Sequence, residues 1–197
     1  MRPTSAGYVL VGGESSRFGS DKALIWWQGR PLVVWVAEQV RIAAGSVTLV
    51  GRPEKYQGLG LPVIADAVAG WGPLAGLSVA LQHSPAEWNL LVACDMPYLG
   101  APFLQHLLRL AAVEPADILL PVDGQGRAEP LCAVYSFRCG EVIAGALRRG
   151  VHKMTDAFAG LCVRELPPAE YAAFDPHGLL LANLNTPAAL AGATADA

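Results

Sequence analysis

A glycine-rich segment near the start of the chain contains the residue types that bind phosphate. Residues 10–22 read LVGGESSRFGSDK, in which Arg17 and Lys22 stand among three glycines. Glycines let the backbone turn sharply and approach a ligand, and successive N–H groups then form an anion-binding concavity. Arg17 and Lys22 add cationic donors for phosphate oxygens. The segment is neither a Walker A loop nor a dinucleotide-binding glycine pattern. We predict a phosphate-binding loop, with a flexible turn bearing two solvated cations as the alternative.

A single carboxylate follows the most apolar run of the chain. Asp95, in the sequence CDMP at residues 94–97, comes directly after the apolar residues 88–94. A charged group at the end of a buried strand requires a partner. Mg²⁺ typically takes one or two carboxylates together with phosphate oxygens. We therefore predict that Asp95 binds Mg²⁺, and a cap on the following helix is the alternative.

Two further motifs place polar groups after apolar segments. Asp66 is followed by WGPLAG at residues 71–76, where a helix that begins with small residues brings backbone close to a site. Asn183 and Asn185, in NLNTP, would point to one face of an extended strand. A ligand or metal role for these two asparagines competes with an Asx turn and a helix cap.

A cationic cluster lies in the last third of the chain. It consists of Arg148, Arg149, His152 and Lys153. Such a cluster fits an anionic acceptor substrate. The alternative is a solvated helix end, where cations suit the helix dipole.

The elements that must position these residues alternate between apolar strands and amphipathic helices. We predict strands at residues 7–11, 46–50, 61–65, 88–94, 117–122, 130–137 and 162–166, and helices at 32–44, 73–83, 102–112, 141–149 and 154–159. This order predicts an α/β fold with three layers and a Rossmann-like, doubly wound, mainly parallel sheet. Ligands of such sheets bind beyond the carboxyl ends of the strands, and the polar motifs follow strands in this way.

Composition excludes several other classes of protein. The 197 residues are 53% hydrophobic and 16% charged, which is typical of one globular domain and not of a disordered chain. The formal net charge of −3 offers no basic field for nucleic acid or for an anionic membrane. Apolar runs are too short for a signal segment or a membrane span, so we expect a cytoplasmic protein.

Together the motifs resemble those of the molybdenum cofactor guanylyltransferases. The resemblance is carried by L-x-G-G-x-S-x-R-x-G-x-D-K from residue 10, by Asp66 with G-P-L-A-G, by C-D-M-P and by N-x-N-T-P, and it runs from about residue 8 to residue 187. It implies a sheet of the nucleotide-diphospho-sugar transferase type. It also implies one nucleotidyltransferase domain over residues 1–197, with a nucleotide-binding half at about 1–100 and an acceptor-binding half at about 101–187.

The resemblance implies a reaction as well as a fold. The expected activity is Mg²⁺-dependent transfer of GMP from GTP to the molybdopterin form of the molybdenum cofactor, with release of pyrophosphate. Molybdoenzymes or their delivery chaperones would be further partners. Lys22, Arg17 and Asp95 would be the catalytic residues, and Asp95 the metal ligand.

Binding roles follow from the same resemblance. Nucleotide contacts are implied at Leu10, Val11, Gly12, Gly13, Lys22, Asp66 and Asp95. For the acceptor, the residue types and not the resemblance suggest Asn183 and Asn185 of the NLNTP motif and Arg148 and Lys153 of the cationic cluster.

The sequence also departs from the family pattern. Val11 stands where alanine is usual, Glu129 where histidine or glutamine is expected, and residues 47–52 lack an asparagine that the family can place after the second strand. A cytidylyltransferase for the same cofactor, a transferase for another small phosphate, and a non-catalytic nucleotide-binding or cofactor-delivery protein therefore remain alternatives.

Overall fold

The computed structural model describes residues 4–12, 21–66 and 71–184. Seven strands form one sheet: β1 (Ser5–Leu10), β4 (Thr48–Gly51), β5 (Val63–Ala65), β6 (Trp88–Ala93), β7 (Ile118–Pro121), β8 (Cys132–Ser136) and β9 (Val163–Leu166). Their order in space is β5-β4-β1-β6-β8-β7-β9. β8 runs antiparallel to both of its neighbours, and every other pair is parallel. The predicted mainly parallel sheet is confirmed.

A short hairpin stands apart from the sheet. After a 3-10 helix, Lys22–Leu24, the strands β2 (Trp26–Trp27) and β3 (Arg30–Pro31) pair antiparallel. The hairpin leads directly into the first long helix, which begins at Leu32. The Leu32 N–H donates to the Ile25 carbonyl oxygen at 2.8 Å, which ties the start of this helix to the residue before the hairpin.

Helices cover both faces of the sheet. They are α1 (Leu32–Ala44), α2 (Pro53–Tyr56), α3 (Pro73–His83), α4 (Ala101–Ala111), α5 (Cys139–Arg148) and α6 (Pro168–Tyr171). Buried residues of α1 and α4 belong to one core, and those of α3 and α5 to the other. The predicted helix at residues 154–159 is instead a 3-10 helix, Thr155–Phe158. In the described part of the chain, no helix is long and apolar enough to cross a bilayer.

Successive side chains of the central strands point to opposite faces of the sheet, so each strand packs against both helical layers. In β6, Leu90 and Val92 face the core of α1 and α4, whereas Leu91 faces the core of α3 and α5. In β1, Val9 and Tyr8 divide in the same way. Strands buried on both faces read as apolar runs, as β6 does from Leu90 onward, after the buried polar residue Asn89.

The strand order predicts a crevice beside β1, at the carboxyl ends of the strands. From β1 the chain moves outward to β4 and β5, and then returns to pair β6 with the other side of β1. Doubly wound sheets bind their ligands where the strand order reverses in this way, outside the carboxyl ends.

Candidate active site

The carboxyl ends of β1 and β6 leave the sheet side by side. The Cys94 N–H donates to the Leu10 carbonyl oxygen at 3.1 Å, and the Val11 N–H donates to the Val50 carbonyl oxygen at 2.9 Å. Leu10 and Asp95, which the sequence assigns to separate motifs, therefore lie at one edge of the sheet.

The backbone bends away from the sheet at Val11 and Gly12. The Val11 side chain is buried against Gly51, where an added Cβ would collide with the carbonyl oxygen and Cγ2 of Val11. Gly51 thus makes room for the larger side chain at position 11. Gly12 is exposed and has a φ of 119°, a conformation that favours glycine. The predictions for Gly13 and Arg17 fall outside the described residues.

Lys22 faces Asp95 across the crevice. Lys22 begins the 3-10 helix, and Asp21 caps it by accepting the Ala23 N–H at 3.1 Å. The Lys22 Nζ lies 3.9 Å from the Asp95 Oδ2, and the two side chains are 21% and 25% exposed. Burial raises the pKa of Asp95 and the Lys22 charge lowers it, with a net upward direction. A carboxylate in this state is stabilised by a further cation.

The helix-cap alternative for Asp95 is wrong. Asp95 lies in a turn after β6, and the next helix, α4, begins later and is preceded by Gly100. Its carboxylate is therefore available for a role other than capping.

A second carboxylate, Glu129, lies close enough to Asp95 for the two negative charges to interact, although the sequence alone assigns it no role. The Glu129 N–H donates to the Pro121 carbonyl oxygen at 2.9 Å, and its Oε1 accepts the Leu131 N–H at 3.0 Å. Burial is the main cause that raises the pKa of Glu129, and the negative charge of Asp95 adds to it. Within residues 4–12, 21–66 and 71–184, Glu129 forms no ion pair.

Asn183 also lies at this site, but in a segment that is not the predicted strand. Its side chain lies near Glu129, and this proximity opposes part of the rise in the pKa of that carboxyl. The adjacent Leu184 N–H donates to the Asp95 carbonyl oxygen at 2.8 Å, so this backbone is tied to a loop and not to a strand. Residues 182–184 accordingly have no regular secondary structure, and the predicted extended strand is wrong there. Asn185 lies outside the described residues.

Asp66 and the start of α3 flank the crevice on the side of β4. The Asp66 N–H donates to the Gly51 carbonyl oxygen at 3.2 Å, which holds Asp66 at the carboxyl edge of the sheet. In α3, Gly76 packs directly against the Cδ2 atom of Leu10. The small residues of this helix thus bring its first turns close to the end of β1.

The cationic cluster makes no direct contact with the Lys22–Asp95 pair among the described residues. Arg148 is exposed at the end of α5, and Lys153 pairs with Asp156 at 3.4 Å in an exposed ion pair. The His152 ring lies 5.3 Å from the Trp71 ring, just before α3. Among the described residues, no hydrogen bond or ion pair joins Arg148 or Lys153 to Asp95.

The oxygen donors in the crevice fit a hard divalent cation. The described residues include no group of three His, Cys, Asp or Glu side chains that could hold a metal ion. Mg²⁺ requires only one or two carboxylates when phosphate oxygens complete its coordination. Asp95 and Glu129 are two partly buried carboxylates whose pKa values are both raised. A divalent cation bound between them would stabilise their charged forms.

The fold and this crevice define the class of the protein as a nucleotidyltransferase. The structure resembles that of a molybdopterin-guanine dinucleotide biosynthesis protein A from Archaeoglobus fulgidus, with a TM-score of 0.82 and 28% identity over 95% of this chain and 96% of that one. The chain belongs to the MobA-like NTP transferase domain family, which it matches over residues 7–161.

Two curated relatives are similar to this chain in sequence. A molybdenum cofactor guanylyltransferase from Desulfosudis oleivorans is 31% identical over 182 residues, which are 91% of this chain and 89% of the relative. A probable molybdenum cofactor guanylyltransferase from Flavobacterium johnsoniae is 31% identical over 152 residues, 77% of this chain and 79% of the relative.

Proposed function

We propose that this protein transfers GMP from GTP to the molybdopterin form of the molybdenum cofactor, with Mg²⁺ as its metal. The Lys22–Asp95 pair in the crevice between β1 and β6 carries the proposal, because it offers a cation for a triphosphate beside a carboxylate for a metal. The names of the relatives support the choice of GTP and of molybdopterin.

The reaction is an in-line displacement at the α-phosphorus of GTP. An oxygen of the acceptor phosphate forms the new bond to this phosphorus, while the bond from the α-phosphorus to the oxygen that bridges it to the β-phosphorus breaks and pyrophosphate leaves. A phosphate monoester is already ionised near neutral pH, so no strong general base is required. Catalysis then rests on positioning and on neutralisation of charge.

The crevice residues divide this work. Lys22, with Arg17, would hold the triphosphate oxygens. Asp95 and Glu129 would hold Mg²⁺, with the Asn183 side chain near Glu129. The bound metal would neutralise charge on the phosphate oxygens.

The same proposal assigns the remaining parts of the site. Leu10, Val11, Gly12 and Gly13, together with Asp66, would contact the nucleotide from the first half of the chain, residues 1–100. The acceptor would lie against residues 101–187 and be bound by Asn183, Asn185, Arg148 and Lys153. The reaction would take place in the cytoplasm, where GTP is available, and the product would pass to molybdoenzymes or to their delivery chaperones.

Pyrophosphate release tests the proposal. The purified protein is mixed with molybdopterin, Mg²⁺ and one nucleotide at a time from GTP, CTP, UTP and ATP. We expect release with GTP, and a loss of about a hundredfold or more in Lys22→Ala and Asp95→Asn. Arg41→Ala, which removes an exposed cation of α1, is the matched control.

Other outcomes identify the alternatives. Release with CTP in place of GTP would indicate a cytidylyltransferase. Tight binding of GTP without pyrophosphate release would indicate a binding or delivery protein. Full activity in Lys22→Ala and Asp95→Asn would contradict the assignment of the crevice as the active site.

A further inference from the structure

The side chain of Asp21, the residue before Lys22, is held by three donors. Its Oδ1 accepts the Ala23 N–H at 3.1 Å, and its Oδ2 accepts the Tyr56 hydroxyl at 2.7 Å and the Lys55 ammonium at 3.3 Å. Only 18% of the Asp21 side chain is exposed. Two of the donors come from α2, more than thirty positions further along the chain. The start of the 3-10 helix is thus fastened to a different part of the fold.

Tyr56 is the stronger of the two links from α2. It is 1% exposed and belongs to the core that also contains Val11 and Ala23. Burial raises the pKa of its hydroxyl, and the hydrogen bond to Asp21 raises it further, so the hydroxyl remains a protonated donor. Lys55 is 46% exposed, and solvent weakens its attraction to Asp21.

Topology explains why α2 reaches this position. α2 follows β4, and β4 pairs with β1, so α2 begins at the same sheet edge at which the glycine-rich segment leaves β1. The Tyr56 hydroxyl therefore reaches Asp21 at this edge of the sheet. The contact is close to the crevice, because Asp21 directly precedes Lys22, which faces Asp95.

We infer that Tyr56 is a positioning residue that acts through Asp21 to hold Lys22 in place for the triphosphate. The inference rests on the proposed function, because it gives Lys22 a nucleotide to bind. A fixed Asp21 restricts the backbone of Lys22 before the nucleotide arrives. Less conformational freedom is then lost on binding, and affinity rises without a new contact.

Calorimetric titration of GTP with Mg²⁺ tests the inference in the absence of acceptor. Tyr56→Phe retains the buried ring and removes only the hydroxyl, and we expect it to weaken binding about tenfold, as for a hydrogen bond to a charged group. The double variant with Asp21→Asn should bind no more weakly than Asp21→Asn alone, because coupled residues are not additive. Tyr171→Phe is the matched control, since it loses a buried hydroxyl hydrogen bond of 2.8 Å to Val122 and should bind GTP as the unchanged protein does.

Lys55→Met provides a second variant that leaves the core untouched. It should weaken binding by less than Tyr56→Phe does, because Lys55 is the more exposed link. An unchanged affinity in Tyr56→Phe, or losses from Tyr56→Phe and Asp21→Asn that add in the double variant, would overturn the inference. So would an effect of Lys55→Met equal to that of Tyr56→Phe.

Failure of the proposed function gives a different result. If the unchanged protein binds CTP, UTP or ATP in place of GTP, the proposed nucleotide is wrong, and the same variants titrated with the nucleotide that binds still test Tyr56. If none of the four binds, both the function and the inference are overturned.

Discussion

Substitution of Glu129 by glutamine is expected to stabilise the metal-free protein and to weaken its reaction. Burial above all, and the nearby negative charge of Asp95, raise the pKa of the Glu129 carboxyl. The folded protein therefore binds this proton more readily than the unfolded chain does. The contribution of Glu129 to stability is fully present below its unfolded pKa and is lost as the pH rises through the raised folded pKa. Above that range the charged carboxylate lowers the stability of the metal-free protein.

The size of the effect follows from the neighbours that glutamine would keep. An amide oxygen can still accept the Leu131 N–H, now at 3.0 Å, so only the charge is removed. Relief of one unfavourable feature at a functional site commonly adds about 1 kcal/mol to the free energy of unfolding. For a chain of 197 residues this raises the melting temperature by about 2–4 °C. The gain should shrink as the pH falls, because wild-type Glu129 then becomes neutral as well.

Thermal melts of the two proteins, in chelator and again with Mg²⁺ and GTP, measure both parts of this prediction. Ligand binding stabilises the folded state by an amount that rises with the logarithm of the affinity, so the wild type should gain more from Mg²⁺ and GTP than Glu129→Gln does. Glu87→Gln, at an exposed position before β6, is the matched control and should melt like the wild type. A variant that melts lower than the wild type in chelator at neutral pH, or that gains equally from Mg²⁺ and GTP, would contradict the roles assigned to Glu129.

Three other outcomes follow from individual contacts. Gly51→Ala should lower the free energy of unfolding in urea by about 1–3 kcal/mol, because its Cβ would collide with Val11; an unchanged midpoint would mean that the loop can shift freely. Arg148→Ala should raise the KM for molybdopterin severalfold and leave GTP affinity unchanged, and an unchanged KM would remove Arg148 from the acceptor site. Burial raises the pKa of the Cys94 thiol to about 12, so a thiol reagent near neutral pH should modify exposed Cys162 first, and faster labelling of Cys94 would contradict its burial.

Much of the fold could be predicted from apolar patterning. The long helices predicted at residues 32–44 and 73–83 have these bounds in the structure, and the other long elements shift by one or two residues. The hairpin of β2 and β3 could not be predicted, because each strand has two residues and the turn contains the non-glycine residue Gln28 at a φ of 46°. No alternation of polar and apolar residues can develop over so short a strand.

The antiparallel direction of β8 follows from the length of the connection that precedes it. A parallel strand requires a crossover of about a dozen residues or more. Only residues 122–131 separate β7 from β8, so β8 returns antiparallel between β6 and β7. Loop length, more than the strand's own apolar residues, sets this direction.

The candidate site is predictable in part. The sequence assigns Lys22 and Asp95 to separate motifs, and the structure brings their charged atoms within 3.9 Å. Glu129 could not be assigned to the site from the sequence. Its position depends on a turn that is held by a tertiary contact, in which the Leu131 carbonyl oxygen accepts the Ala93 N–H at 2.8 Å. A tertiary contact of this kind leaves no periodic signal, and the only indication in the sequence is a carboxylate at a position where the family has histidine or glutamine.

The fate of the α-phosphate distinguishes transfer of GMP from mere binding of GTP. GTP labelled at the α-phosphorus is incubated with the protein, Mg²⁺ and molybdopterin, and the products are separated. We expect the label to enter a guanine dinucleotide form of the cofactor, an equal amount of pyrophosphate to be released, and Asp95→Asn to prevent both. Label that remains in GTP, or an Asp95→Asn variant that transfers label at the wild-type rate, would contradict this expectation.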